Sequence, residues 1–193
     1  MLARLPRPDG VVLGWRATST TQGSGRSPEA RAAGRLLLAE ALGLLGAAGT
    51  RIRQNCPVCD ADDHGPPAAD GHVLSVSYAP GLVVAAAAEA TVVRSLGVDV
   101  ERDAGALPSL AALFAPAPPP DAAGWTAIEA ALKADGRGLR VDPASVVVEA
   151  GSVRVSGRDR PFEVTAVSAP AGYVISLAID PAGTPDRGAG SAR

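Results

Sequence analysis

The residues of this chain best suited to chemistry fall in two short runs. The first is Gly97-Val98-Asp99-Val100-Glu101. On a strand, residues two apart share a face, so Asp99 and Glu101 project together while Val98 and Val100 face the core. Two neighbouring carboxylates repel unless a cation or a proton lies between them. A hard divalent cation with oxygen ligands, such as magnesium, suits the pair; a solvated strand end would carry the same residues with no guest. The second run is Trp125-Thr126-Ala127-Ile128-Glu129-Ala130-Ala131-Leu132-Lys133. Glu129 and Lys133 are four apart and lie on one helix face. An ordinary surface ion pair, worth about 0.3–0.5 kcal/mol, accounts for most such spacings. Lys133 differs in being the only lysine among eighteen basic residues, the rest being arginine. A compact ammonium does chemistry that a planar guanidinium does poorly; chance is the competing explanation.

A third cluster is weaker. Cys56 and Cys59 with His64 offer three zinc ligands, and His72 or an aspartate could be a fourth. A structural zinc site usually shows a second ligand pair. A thioredoxin-like role needs a strand-to-helix context, which this segment lacks. Two buried thiols in a loop are the favoured reading.

Positioning these runs requires elements that the pattern supplies. Val11–Ala17 reads as a strand and 18–27 as a loop. Ser27-Pro28-Glu29 starts a helix, with Ser as N-cap and Pro at the first position, running to about Gly46. Arg31 and Arg35 share a face of it. Residues 56–70 read as a loop. Residues 73–78, 82–88 and 92–100 read as strands, forming a hairpin or a three-stranded meander. A short helix is expected over 107–114, then a proline-rich break at 115–120. Asp121 caps a helix over 122–134 that stops at Asp135-Gly136. Strands follow at 146–148, 153–155, 162–167 and 173–179. The Gly, Pro, Arg and Ser tail after Pro181 is expected to be disordered. This order, a helix and then strands, occurs twice and implies two similar α/β lobes.

Composition bounds the rest. The chain has 193 residues, 47% hydrophobic but only 3% aromatic, so its core must be built from Ala, Val and Leu. A net charge of -2 gives no electrostatic case for nucleic acid. No run of about 18 apolar residues marks a membrane span, and residues 1–10 lack the apolar stretch of a signal peptide. Two cysteines make no disulfide framework. A cytoplasmic monomer is expected.

Taken together, the motifs resemble the phosphopantetheinyl transferase superfamily, in its surfactin-synthetase-type bacterial branch. That family carries a Gly-Val-Asp-Val-Glu-like strand, then a helix with Trp, two residues, Lys-Glu-Ala, two residues and Lys. Gly97–Glu101 matches the strand, and Trp125, Glu129, Ala130 and Lys133 match the helix. Gly136-Arg137-Gly138-Leu139 resembles the family's Gly-x-Gly-Leu. Cys56-Pro57-Val58-Cys59 with His64-Gly65-Pro66-Pro67 is similar to the family's Cys-Pro-x-Cys-Gly…His-Gly-Arg-Pro. Ser75-Val76-Ser77-Tyr78 sits where the family has Ser-x-Ser-His. The resemblance covers roughly residues 31–179, in the right order.

It implies an α+β fold of two pseudo-twofold-related α/β lobes with the active site between them. The lobes would be residues 1–96 and 97–180, followed by the tail at 181–193. It implies transfer of the 4'-phosphopantetheine group of coenzyme A to a serine of an apo-acyl or peptidyl carrier protein, releasing adenosine 3',5'-bisphosphate. Asp99, Glu101 and Glu129 would hold magnesium; Glu129 and Lys133 would be catalytic; Arg53, His64, Ser77, Tyr78 and Lys133 would contact coenzyme A. Three family cations are replaced: Tyr78 stands for His, Ile128 for Lys, and Pro66 for a basic residue. Arg31, Arg35, Arg51 or Arg53 could compensate. The segment between Glu101 and Trp125, which helps dock the carrier in the family, is short and proline-rich. Two alternatives remain open: a family member that binds coenzyme A with weak or no transfer, and a small zinc-stabilised interaction domain built on Cys56 and Cys59.

Overall fold

The computed structural model of the chain describes residues 2–4, 10–19, 23, 25–56, 65–105 and 107–182. Its two long helices start and stop where local chemistry directs. In α1 (Pro28–Leu44) the Ser27 hydroxyl oxygen accepts from the Ala30 N–H at 3.1 Å, with Pro28 in the first turn. The short helix α2 (Ala111–Phe114) follows a single 3-10 turn at Pro108–Leu110. In α3 (Ala122–Asp135) the Asp121 carboxylate accepts from the Gly124 N–H at 2.8 Å. Gly136 ends α3 at φ 80°, a left-handed conformation that costs glycine little.

The strands form two antiparallel sheets, giving an α+β arrangement. The first contains β1 (Leu2–Arg4), β2 (Val11–Ala17), β3 (Arg53–Gln54), β4 (Pro67–Ala69), β5 (His72–Ala79) and β6 (Leu82–Glu89), in the order β1-β2-β6-β5-β4-β3. The second contains β7 (Val93–Arg102), β8 (Val147–Glu149), β9 (Ser152–Arg154), β10 (Phe162–Val167) and β11 (Tyr173–Pro181), in the order β7-β11-β10-β9-β8.

Two sequence expectations are corrected here. The strands over 73–100 do not form a three-stranded meander. β5 and β6 make a hairpin through Pro80-Gly81, but β7 joins the second sheet beside β11. The reason is that β6 already has β2 on one edge and β5 on the other. The loop expected over 56–70 contains a short strand, β4, which pairs with the start of β5. β1 and the two-residue β3 were not expected either.

The two sheets bury a common core between them. Leu82, Val84, Ala86 and Ala88 of β6 meet Leu96, Val98 and Val100 of β7 and Leu177 of β11. The alternate residues of β6, Val83, Ala85 and Ala87, face α1, where Leu37, Leu38 and Leu42 cover them. α3 covers the outer side of the second sheet, with Trp125, Ile128 and Leu132 against Phe162 and Val153. β6 is buried on both faces, which explains its unbroken apolar run. Small side chains suffice there because layers lie on both sides.

Candidate functional site

Gly97 sets the site. A Cβ built on Gly97 would lie 2.0 Å from the Ala130 carbonyl oxygen and 2.6 Å from the Ala134 nitrogen. α3 therefore rests directly on the backbone of β7, a contact that only glycine permits. This close approach brings the outward-facing residues of β7, Asp99 and Glu101, against the helix face that carries Glu129 and Lys133. A buried hydrogen bond of 2.8 Å between Thr126 Oγ1 on α3 and Ser176 Oγ on β11 fixes the same contact. Ser176 is the cross-strand partner of Asp99.

Around Asp99 the polar groups interlock. Lys133 Nζ donates to Asp99 Oδ1 at 2.6 Å, to Ser77 Oγ at 2.7 Å and to the Val98 carbonyl at 3.2 Å. The Ser77 hydroxyl donates to Asp99 Oδ1 at 2.6 Å. The Ser75 hydroxyl accepts from the Val98 N–H at 3.0 Å. β7 is the edge strand of its sheet, so Ser75 and Lys133 satisfy the Val98 backbone groups that an edge leaves unpaired. Lys133 lies 3.9 Å from Glu129 Oε2, so its principal partner is Asp99 and not the i–4 glutamate.

Negative charge accumulates here. Burial pushes the Glu101 carboxyl up to about 7, with Asp99 and Glu129 adding repulsion; Lys133 and a hydrogen bond from the Trp125 side chain act the other way. Burial also raises the Glu129 carboxyl, followed by repulsion from Asp99, with Lys133 and Arg26 opposing. Asp99 Oδ2 is buried with no hydrogen-bond partner. Three oxygen donors, one of them with an uncommitted buried atom, have the chemistry that suits a hard divalent cation. Among the described residues, no three His, Cys, Asp or Glu side chains are placed to share one metal ion. Lys133 is the cation in contact with Asp99 in this arrangement.

Lys133 also lines a cleft of about 320 Å³, with Arg26, Arg31 and Tyr78. Gly136 and Gly138, of the Gly-x-Gly-Leu motif, form part of its wall, as do Gly65 and Pro66. No carboxylate is among the described lining residues, so the cleft presents three cations to an incoming anion. The cleft lies where β4 has ended: β4 pairs with β5 only at His72 and Val73, leaving the later part of that edge uncovered among the described strands.

The Tyr78 ring packs beside α1. A Cβ on Gly34 would lie 2.7 Å from its hydroxyl, so this helix glycine makes room for the phenol. Burial raises the phenol pKa, while Arg35, Arg26 and Arg31 pull it down; the Arg26 guanidinium sits 6.0 Å from the ring centroid. Tyr78→Phe removes only the hydroxyl. If the cleft takes coenzyme A, as the sequence resemblance implies, this change should cost about a fivefold loss of coenzyme A affinity, near 1 kcal/mol, read by calorimetry with unchanged thermal unfolding. Equal affinity would return Tyr78 to a packing role.

The remaining expected residues divide: Ser77 joins the Asp99 network and Arg53 does not. Ser77 is buried and its hydroxyl is shared between Asp99 and Lys133. Arg53 ion-pairs with exposed Asp70 and does not line the cleft. His64 and Cys59 lie outside the described residues, and so do two of the three principal ligands of the zinc expectation. Arg26 was not anticipated, because its segment reads as an unstructured Ser/Gly loop. Ser75 was seen only as part of a motif; its service to the Val98 N–H depends on a strand pairing that sequence does not display.

No protein-family model matches this chain, and no curated protein matches its sequence.

Proposed function

We propose that the chain is a cytoplasmic, monomeric 4'-phosphopantetheinyl transferase that modifies a serine of an apo-acyl or peptidyl carrier protein. The observation that carries this reading is convergence. Ser75–Tyr78, Gly97–Glu101 and Trp125–Lys133 are far apart in sequence, yet Lys133, Asp99 and Ser77 hydrogen-bond directly beside a cationic cleft. That all three segments belong to one family pattern supports the same reading. One long helix on the outer side of each sheet agrees with two pseudo-twofold-related lobes.

In this reading the cleft takes coenzyme A, with Arg26, Arg31, Tyr78 and Lys133 facing its phosphates. The carrier serine oxygen bonds to the phosphorus nearest the pantetheine, and the phosphoanhydride bond breaks. Adenosine 3',5'-bisphosphate leaves with the bond's electrons. Glu129 accepts the serine proton; its raised pKa makes it a better base near neutrality. Such transfer needs positioning and charge neutralisation more than covalent assistance. Asp99, Glu101 and Glu129 would hold magnesium, which would neutralise charge on the pyrophosphate. The assay that tests this reading is carrier modification in the presence of coenzyme A and magnesium.

A pH experiment tests the carboxylate cluster separately. The folded-state pKa of Glu101, about 7, lies above the ordinary value of 4.5. The folded form therefore keeps its proton after the unfolded form has released one. The resulting stability is fully present below about 4.5 and is lost as pH rises through about 7. Glu101→Gln should remove this component. The difference in melting temperature between wild type and Glu101→Gln should shift against wild type between pH 5 and pH 8. Magnesium should restore wild-type stability at pH 8 and have little effect at pH 5. A difference that does not change with pH would show that Glu101 does not feel its neighbours.

One observation favours a second reading, a chain that binds coenzyme A with weak or no transfer. Tyr78 supplies a neutral phenol where the family pattern supplies histidine, so one cation is missing from the cleft. Coenzyme A binding without carrier modification would select it.

A further inference from the structure

The segment that carries Arg26 is fastened to a turn of the first sheet. The Thr18 N–H donates to the Gly81 carbonyl at 3.0 Å. Further along, a Cβ on Gly25 would lie 2.5 Å from both the carbonyl carbon and the carbonyl oxygen of Ala79, and Gly25 has φ 68°. Gly25 therefore rests on the Pro80-Gly81 turn in a contact and a conformation that suit glycine. The next residue, Arg26, lines the cleft, its guanidinium 6.0 Å from the centroid of the Tyr78 ring. The turn is itself held from the second sheet. Two donors converge on the Pro80 carbonyl: the Tyr173 hydroxyl of β11 at 2.7 Å and the Arg102 guanidinium of β7 at 2.9 Å. A carbonyl oxygen has two lone pairs and can accept both. Arg102 also lies 5.2 Å from the centroid of the Tyr173 ring, and a Cβ on Gly81 would lie 2.6 Å from the Tyr173 hydroxyl. Neither Arg102 nor Tyr173 is among the described residues that line the cleft.

We propose that Tyr173 and Arg102 are positioning residues for anion binding: through the Pro80 carbonyl they fix the seat on which Gly25 rests, and Gly25 aims Arg26 into the cleft. The inference deepens the transfer reading and rests on it only for the identity of the anion. An arginine whose backbone is already held in place loses less freedom when it binds than one on a loose segment. The seat therefore contributes affinity without touching the ligand. Arg102 belongs to β7, the strand that carries Asp99 and Glu101. One clasp thus ties the anion cleft to the carboxylate cluster across the two sheets.

The test is calorimetric titration of inorganic pyrophosphate into the protein without added metal, with thermal unfolding in parallel. Arg26→Ala is expected to lower affinity about tenfold, the loss of one charge-assisted contact. Gly25→Ala should match that loss. Tyr173→Phe and Arg102→Met, which each delete one donor to the Pro80 carbonyl, should each lower affinity about threefold. In the Arg26→Ala background none of the three changes should lower affinity further, because their effect passes through Arg26. A merely structural effect would appear equally in both backgrounds. Should Gly25→Ala fail to fold, Tyr173→Phe and Arg102→Met decide. Wild-type affinity in those two variants, or an equal loss with and without Arg26, overturns the inference. A folded wild type that binds no pyrophosphate overturns it too, and the transfer reading then stands or falls on carrier modification. Loss through Arg26 in a protein that modifies no carrier supports the inference and removes the transfer reading; carrier modification with no loss through Arg26 does the reverse.

Discussion

Asp99→Asn is expected to lower carrier modification by about 10³-fold while the protein still unfolds cooperatively. Asparagine keeps the size of Asp99 and one oxygen that can accept from the Ser77 hydroxyl and Lys133. It removes the negative charge that Lys133 pairs with and that magnesium would use in the proposed reading. The magnitude is what loss of a single charge-stabilising group in a preorganised site commonly costs, about 10²–10³-fold, with metal binding lost as well. Alanine would be a poorer test. The Asp99 side chain is only 5% exposed, and deleting it would leave the ammonium with no partner at that position, mixing folding defects with chemistry. Single-turnover transfer with matched thermal unfolding separates the two. A variant with wild-type turnover would show that Asp99 is a structural counter-ion for Lys133 and nothing more.

Gly97→Ala is expected to destabilise the protein by about 3 kcal/mol. The added methyl would meet the Ala130 carbonyl oxygen and the Ala134 nitrogen, which are helix backbone atoms and cannot rotate away. α3 must lift from β7, and the helix carries Glu129 and Lys133 with it. The Thr126–Ser176 and Lys133–Asp99 hydrogen bonds would lengthen together. Urea denaturation measures the stability loss, and transfer in the folded fraction measures the displacement. Stability close to wild type would mean that the helix and strand can separate without cost, against the close contact described above. Gly97 thus belongs to the motif for a spatial reason: it is the point at which helix and strand touch.

Much of this was legible in local chemistry. Ser27-Pro28, Asp121 and Gly136 announce the ends of α1 and α3, because caps act on backbone groups within a few residues. Alternation placed Val98 and Val100 in the core and Asp99 on the other face of β7. Strand pairing was less legible. That β7 pairs with β11 and not with β6 depends on which edges are already occupied, a non-local matter. The two-residue β3 is too short to leave a pattern.

The candidate site divides along the same line. The motif residues Asp99, Glu129 and Lys133 were identifiable by type and spacing. Spacing alone, however, pairs Lys133 with Glu129, whereas the folded chain gives it to Asp99 across the β7–α3 contact. Arg26 reaches the cleft from a segment with no periodicity, and Ser75 serves a backbone group exposed only because β7 is an edge.

The measurement closest to the central claim is the mass of an apo-acyl carrier protein after incubation with this chain, coenzyme A and magnesium chloride. The predicted result is a gain of one phosphopantetheine group per carrier. That gain should vanish when the acceptor serine is replaced by alanine, when magnesium is removed by chelation, and when Asp99→Asn replaces wild type. An unmodified carrier, across a panel of acyl and peptidyl carriers and with the chain folded and coenzyme A bound, would contradict it.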